Sequence, residues 1–196
     1  MGVPDVHRLV PQETRDLLFG PGRDVSLARR SSRGGMNVLQ CMPIGTIHSP
    51  FTRPSDAPIQ PTGAAGVEGT IEIEPEFAAG LADLEGFSHL ILLYHFHLSQ
   101  GFSLTVTPFL DDKPHGVFAT RAPRRPNPIG LSVVRLVRRE GSVLRVSDVD
   151  VVDGTPLLDI KPYVPEFDKR EEIRIGWLEG KAHQSHGARS DDRFSK

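Results

Sequence analysis

Apolar and polar residues alternate along several short segments, and this period of two is the feature that most limits the fold. In residues 67–73, the apolar Val67, Ile71 and Ile73 fall on one face of the segment. Successive side chains of a β-strand point to opposite faces, so the pattern predicts half-buried strands. Gly and Pro are abundant, at 19 and 17 of 196 residues, which favours many turns over a helical bundle. The sequence therefore predicts a mainly β chain, folded as an antiparallel barrel or sandwich.

The longest apolar segment, residues 87–97, is also predicted to be a strand. One face carries Leu90, Leu92, Tyr94 and Phe96, and the other carries His89, His95 and His97. The spacing of His95 and His97 would suit metal ligands, but no acidic residue has a comparable spacing. We therefore expect no metal site, and a buried or ligand-stacking role for these side chains.

The remaining elements follow from the same patterns. Strands are predicted over residues 103–107, 129–137, 142–152 and 157–164, with a β-bulge between Val146 and Val149. One short helix is predicted over residues 75–86, because proline suits a first helical turn and glycine suits a helix end.

Composition excludes several classes of protein. The chain has 23 Lys and Arg against 25 Asp and Glu, so it is not a wholly basic nucleic-acid binder. Its one cysteine, Cys41, rules out an intramolecular disulfide framework and a cysteine-based zinc site. No apolar run approaches the roughly 20 residues of a membrane span, and the first residues lack the apolar core of a signal peptide. We expect a cytoplasmic protein with no membrane partner.

The chain divides into three parts. Residues 1–37 are expected to be a flexible basic extension, since they hold six arginines and little periodicity. Translation that starts at Met36 is an equally good interpretation of this segment. The compact domain is expected over residues 38–177, and residues 178–196 form a polar tail that we expect to fray.

The most unusual stretch is residues 116–132, GVFATRAPRRPNPIGLS. Its prolines 123, 126 and 128 forbid a helix and stiffen a loop that includes Asn127. The stretch belongs to a block, 113–139, that carries seven Lys and Arg and no acidic residue. Such a block suits phosphate binding, and RNA is one candidate ligand. A rigid, solvated surface loop is the alternative.

A second polar cluster lies in residues 148–165. The turn Asp153-Gly154-Thr155-Pro156 brings side-chain oxygens and backbone amides together, so it could hold a polar ligand. On the following strand, Asp159, Lys161 and Tyr163 share one face, which is expected either of a pocket wall or of an ordinary solvent face.

Four motifs resemble those of a known family, the TsaA-like proteins of the tRNA methyltransferase O (TrmO) type. They are IGTIHSPF (44–51), LEGFSHLILLYHFH (84–97), GVFATRAPRRPNPIGLS (116–132) and DVVDGTPLLDIKPY (150–163). The resemblance covers roughly residues 43–167. It implies a single small antiparallel β-barrel domain with one or two short helices, and a homodimer with its cofactor site near the subunit interface.

The resemblance also implies an activity. It is the transfer of a methyl group from S-adenosylmethionine to N6 of threonylcarbamoyladenosine at position 37 of tRNA. A barrel that binds S-adenosylmethionine as a sensor, without transfer, is the alternative.

The implied cofactor contacts are Gln60, Phe96, His97, Arg121, Leu131, Asp153, Gly154, Thr155 and Pro156. The proline-stiffened loop adds Asn127 as a further candidate contact, because it holds the Asn127 amide in a fixed direction. By their chemistry alone, Asp153, Asp159, Tyr163 and His97 could each accept a proton, and Asp153 and Tyr163 are taken as the candidate catalytic residues. From the basic block, Arg124, Arg125, Arg135 and Arg138 are the candidate RNA contacts.

Overall fold

The computed structural model describes residues 39–186, 190 and 191, and its compact unit starts at Cys41. The predicted N-terminal extension lies outside these residues. The strands are β1 (Gly45–His48), β2 (Glu68–Ile73), β3 (His89–His95), β4 (Thr105–Val106), β5 (His115–Gly116), β6 (Ile129–Glu140), β7 (Val143–Ser147) and β8 (Thr155–Pro162). Six of them close into an antiparallel barrel in the order β1-β2-β7-β6-β3-β8, while β4 and β5 pair separately. The predicted mainly β barrel is confirmed.

The barrel interior is the hydrophobic core. On β3, Leu90, Leu92 and Tyr94 are buried, as the alternation predicted. They pack with inward side chains of the other strands, including Ile71 on β2 and Val134 on β6. Full burial of an aliphatic side chain contributes roughly 1.5–3 kcal/mol. A slip of one residue in strand pairing would turn these side chains outward, so their burial fixes the register of each strand.

The prediction of one helix over residues 75–86 is wrong. The segment forms two 3₁₀ turns, Pro75–Leu81 and Leu84–Gly86, separated by Asp83 in the left-handed region at φ 64°. Aspartate tolerates this conformation, and the break lets both Leu81 and Leu84 reach the core. Other helical turns are short; the described ones are Pro54–Asp56, Pro61–Gly63, Val117–Ala119, Pro165–Asp168 (α-helical), Gly176–Leu178 and Ala182–His186.

The predicted bulge between Val146 and Val149 is also wrong. Strand β7 ends at Ser147, and Asp148 takes φ 72°, which turns the chain and buries Val149. The register shifts lie elsewhere. One shift is on β6, where Val137 is the extra residue opposite β7. The other is on β8: Leu93 pairs with Asp159 and Tyr94 pairs with Leu157, so Leu158 is the extra residue. The extra residue switches which alternate side chains of β8 point into the barrel, so that Leu157 rather than Leu158 is buried.

The described part of the C-terminal tail packs against the barrel unit rather than fraying. The Lys181 ammonium lies 2.9 Å from the Asp111 carboxylate, and the Ser185 hydroxyl lies 3.2 Å from that of Thr62. The backbone N–H of Ser190 donates to the Ala57 carbonyl at 3.1 Å. These contacts hold the tail against two loops near one end of the barrel.

Candidate functional site

One end of the barrel brings the motif residues together. Strand β3 ends there, between the first residues of β6 and β8, since His95 pairs with Ile129 and Tyr94 pairs with Leu157. The backbone N–H of Phe96 donates to the Pro128 carbonyl at 2.8 Å. The Thr155 hydroxyl lies 3.4 Å from Nδ1 of His97. The proline-stiffened segment and the Asp153–Pro156 turn therefore both border the end of β3.

The Asp153 turn is held firmly by its neighbours. Its Oδ1 lies 3.1 Å from Nδ1 of His48 and accepts the Ser49 backbone N–H at 3.2 Å. Its own backbone N–H donates to the Phe51 carbonyl at 2.7 Å. Gly154 follows at φ 73°, a conformation that favours glycine. The turn is thus a rigid polar rim built jointly by the first and fourth motifs.

Arg121 and Gln60 form a second polar edge. A terminal guanidinium nitrogen of Arg121 donates to Oε1 of Gln60 at 2.8 Å, across 61 positions of sequence. Burial raises the pKa values of Asp150 and Tyr94, and the nearby charge of Arg121 opposes this rise at both groups. An exposed arginine in this position can pair with a carboxylate or a phosphate.

A buried polar chain lies beneath this edge, inside the barrel. The Tyr94 hydroxyl lies 3.0 Å from that of Ser132, which donates to Oδ1 of Asp150 at 2.6 Å. Burial raises the pKa of Asp150 to about 6, although the Ser132 hydroxyl and Arg121 lower it. Burial, together with the Asp150 charge, also raises the pKa of Tyr94. Neither Asp150 nor Ser132 is among the site residues predicted from the sequence. The available signal was the polar Ser132 at an inward position of β6.

His97 and Phe96 extend past the last residue of β3. Partial burial, with the neighbouring His95, lowers the pKa of His97, so the imidazole is neutral at pH 7. The Phe96 ring meets the Tyr94 ring edge-on, with centroids 5.4 Å apart. A neutral imidazole and an aromatic face side by side are suited to an uncharged heteroaromatic ligand.

Tyr163 does not join Asp153 within one chain. Its backbone N–H donates to the His89 carbonyl at 3.0 Å, at the first residue of β3, whereas Asp153 lies beside the strand's last residues. Ten residues of extended chain span roughly 30 Å. Asp159 lies between them and is paired with Lys161 at 2.7 Å. The two candidate catalytic residues are therefore at opposite ends of β8.

The predicted RNA-binding arginines differ in how they are partnered. Arg135 lies 3.7 Å from Asp148, and Nε of Arg138 donates to Glu140 at 2.6 Å. Arg125 donates to the Thr120 carbonyl at 3.4 Å. Within the described ranges, Nε of Arg124 is buried and has no hydrogen-bond partner. Arg124 lines an open cleft of about 880 Å³ beside the β4–β5 pair.

The other predicted contacts lie at the edge of this region. Asn127 is exposed, and its backbone carbonyl accepts the Ile129 N–H at 2.8 Å. Leu131 lies on the outer face of β6, with 46% of its surface exposed. Across residues 39–186, 190 and 191, no group of three or more His, Cys, Asp and Glu side chains is arranged to hold a metal ion. In the same residues no helix is long and apolar enough to cross a bilayer.

A family model for the tRNA-methyltransferase O N-terminal domain matches residues 46–169, which is more than half of the chain. The chain belongs to the TrmO family. A probable S-adenosyl-L-methionine-binding protein of Pyrococcus abyssi is 62% identical over 152 residues, covering 78% of this chain and 83% of that protein. All four motifs lie within or overlap the residues that match the TrmO model.

Two further TrmO relatives are longer than this chain. The human tRNA (adenine(37)-N6)-methyltransferase is 36% identical over 140 residues, which are 67% of this chain and 31% of that enzyme. The crystal structure of TrmO from Pseudomonas aeruginosa superimposes with a TM-score of 0.60 and 42% identity, covering 71% of this chain and 62% of that one. The chain therefore matches only part of the length of each of these proteins.

Proposed function

We propose that the chain is an S-adenosylmethionine-dependent tRNA methyltransferase that methylates N6 of threonylcarbamoyladenosine at position 37. The observation that carries the proposal is the convergence of the Asp153–Pro156 turn, the end of β3 and the segment of Arg121 at one end of a TrmO-family barrel. An enzyme that acts on tRNA works where tRNA is present, so the cytoplasmic location expected from the sequence is part of this proposal.

The side chains at this end of the barrel match the chemistry of S-adenosylmethionine. Phe96 and the neutral His97 offer aromatic surface for an adenine ring. Thr155 and the backbone of the Asp153 turn offer polar groups for hydroxyls or an amine. Arg121 offers a guanidinium for the methionyl carboxylate. The exposed Asn127 and Leu131 border the same end and complete the predicted contacts.

The proposed reaction needs alignment and a proton acceptor. S-adenosylmethionine supplies a methyl group on a positively charged sulfur. N6 of the modified adenosine attacks that carbon as the carbon–sulfur bond breaks, and the nitrogen then loses its proton. Asp153 is the proposed acceptor, because His48 and Ser49 fix its Oδ1 at the rim. Fixed positions of the rim groups lower the entropic cost of alignment.

The outer face of β3 and β6 supports the proposed homodimer. Ile129 and Leu131 are 44% and 46% exposed, and the outward Ile91, Leu93 and Val133 adjoin them through strand pairing. A contiguous apolar face of this kind favours a second copy of the chain, since a two-fold interface matches one patch with itself. The face adjoins the end of β3, which would place the cofactor site near the interface. Tyr163 stays a candidate catalytic residue only as a contribution from the partner.

A charge at the centre of this face is expected to separate the dimer. Val133→Lys should give the mass of one chain by sedimentation at micromolar concentration, because burying an unpaired ammonium is costly. Arg145→Lys, on the neighbouring β7, is the control and should leave the mass at two chains. A wild-type protein that sediments as a single chain contradicts the proposed dimer.

The function is tested with two measurements. Calorimetry should show one S-adenosylmethionine site per chain in the wild-type protein and in the Arg145→Lys control, and strongly weakened binding in Arg121→Ala. Labelled cofactor, protein and threonylcarbamoylated tRNA should then give labelled methyl-threonylcarbamoyladenosine by mass spectrometry of nucleosides. Tight cofactor binding without transfer would favour the sensor alternative, and no binding at all would refute both.

The partnering of the arginines predicts unequal effects on RNA binding. Arg124→Ala should weaken tRNA binding by about 5–10-fold and reduce the slope of log affinity against log salt by about 1, because its guanidinium makes no ion pair within residues 39–186, 190 and 191. Arg138→Ala should change affinity by less than about 2-fold, since Glu140 already neutralises that guanidinium. Filter binding at several salt concentrations makes the comparison. Equal losses in the two variants would contradict this assignment.

A further inference from the structure

We infer that Trp177 is a positioning residue for Arg121, and through it for the cofactor site; the inference rests on the function proposed above. The indole N–H of Trp177 donates to the Ala119 carbonyl at 2.8 Å, across 58 positions of sequence. Ala119 ends the Val117–Ala119 turn, two residues before Arg121. The hydrogen bond therefore fixes the backbone from which Arg121 projects.

The indole ring is itself held from the other side. It stacks on the His115 ring, with centroids 4.6 Å apart and planes 21° from parallel. Nε2 of His115 lies 3.1 Å from the Asp111 carboxylate, which the Lys181 ammonium meets at 2.9 Å. Lys181 and His115 hold the pKa of Asp111 well below its usual range, so this carboxylate is ionised at neutral pH and keeps its contact with the Lys181 ammonium. Trp177 is thus part of a packed unit and not a loose surface ring.

The same stretch of chain also holds the loop of Gln60. Ser185 contacts Thr62, two residues after Gln60, and the Ser190 N–H donates to Ala57, three residues before it. Gln60 in turn accepts the hydrogen bond from Arg121. Residues 177–186 and 190, named here the C-terminal strap, therefore contact both loops whose side chains meet at the site.

The Arg121 segment needs this support from outside. It connects β5, outside the barrel, to β6, and its three prolines cannot donate ladder hydrogen bonds. Arg121 is exposed, and an arginine side chain loses much rotamer freedom when it is fixed. Fixing its backbone before the ligand arrives lowers the entropy lost on binding, which raises affinity without any new contact to the ligand.

Calorimetry with S-adenosylmethionine tests the inference on the full chain. Trp177→Phe keeps a ring on His115 but removes the N–H, and we expect the cofactor Kd to rise about 5-fold. Trp177→Ala removes both contacts, and Kd should rise more. The decisive variant is the pair Trp177→Phe and Arg121→Ala. If Trp177 acts through Arg121, this double variant binds no more weakly than Arg121→Ala alone, whereas a merely structural role gives additive losses.

Two further variants separate a positioning role of Trp177 from an effect on folding. Val134→Ala in the core should lower Tm yet leave Kd unchanged, which separates stability from positioning. Lys181→Met loosens the strap without altering the ring, and it should raise Kd while the emission of the sole tryptophan shifts to the red. Wild-type affinity in both Trp177→Phe and Lys181→Met, or additive losses, would overturn the inference. Failure of the wild-type protein to bind would instead refute the proposed function.

Discussion

Replacing Gly130 with alanine is expected to destabilise the protein by about 3 kcal/mol, because overpacking a tight core forces side chains and backbone apart. A Cβ at this position would lie within 2.7 Å of three ring atoms of Tyr94. The ring cannot move away easily, since it is 4% exposed and its hydroxyl is bonded to Ser132. Gly130 is therefore required where β6 crosses the Tyr94 ring, and this explains a glycine within the proline-stiffened motif.

Urea denaturation measures this effect, with Gly116→Ala as the matched control. Gly116 starts the same motif, but no atom lies within 4 Å of a Cβ built there. The control should stay within about 0.5 kcal/mol of the wild-type free energy of unfolding. We also expect Gly130→Ala to weaken cofactor binding, since Tyr94 adjoins Phe96 at the site. Equal stability of the two variants would show that the Tyr94 ring yields at little cost.

Asp150→Asn is expected to stabilise the protein at pH 8 by about 1–3 kcal/mol, because folding raises the pKa of the Asp150 carboxyl and the ionised form is therefore unfavourable in the folded protein. Burial raises the pKa of Asp150 from 3.8 to about 6, so the folded state binds this proton more tightly than the unfolded state does. The corresponding stability is present below pH 3.8 and is lost as the pH rises through about 6. Asparagine keeps an oxygen that accepts the Ser132 hydroxyl and has no charge to bury.

The test is the difference in unfolding free energy between wild type and Asp150→Asn, measured in urea from pH 4 to pH 8. The difference should grow through pH 4–6 and then level off. Ser132→Ala is the companion variant. It removes the hydrogen bond that favours the ionised carboxylate, so it should destabilise the protein more at pH 8 than at pH 4. Parallel pH profiles for wild type and Asp150→Asn would contradict the raised pKa.

Strands with one buried face could be predicted from the sequence, because that face sets the local pattern. The inward residues Leu90, Leu92 and Tyr94 of β3 are an example. The prediction for residues 75–86 failed because its signals do not distinguish two kinds of helix. A proline at the start and a glycine at the end fit successive 3₁₀ turns as well as an α-helix, and the left-handed Asp83 that separates the turns leaves no periodic signal.

The residues of the site could be predicted from the sequence only where they belong to a recognisable motif. The Asp153 turn and the proline-stiffened segment were both singled out, but their meeting depends on how β3 lies between β6 and β8. Strand periodicity assigns a face and not an end of the barrel, so it does not show that Tyr163 and Asp153 lie at opposite ends of β8. Asp150 follows β7 in a run of valines, and its burial depends on closure of the barrel around it. No local pattern encodes that closure.

Closure of the six-stranded barrel also limits how another molecule can bind to it. Each of the six barrel strands has hydrogen-bonded neighbours on both sides, so none of them offers a free backbone edge to another molecule. A second copy can attach to the barrel wall only through side chains. In the proposed dimer, subunit exchange and chain folding are then separable processes, and dilution or a single charge on the apolar face should separate the subunits while each barrel wall stays intact.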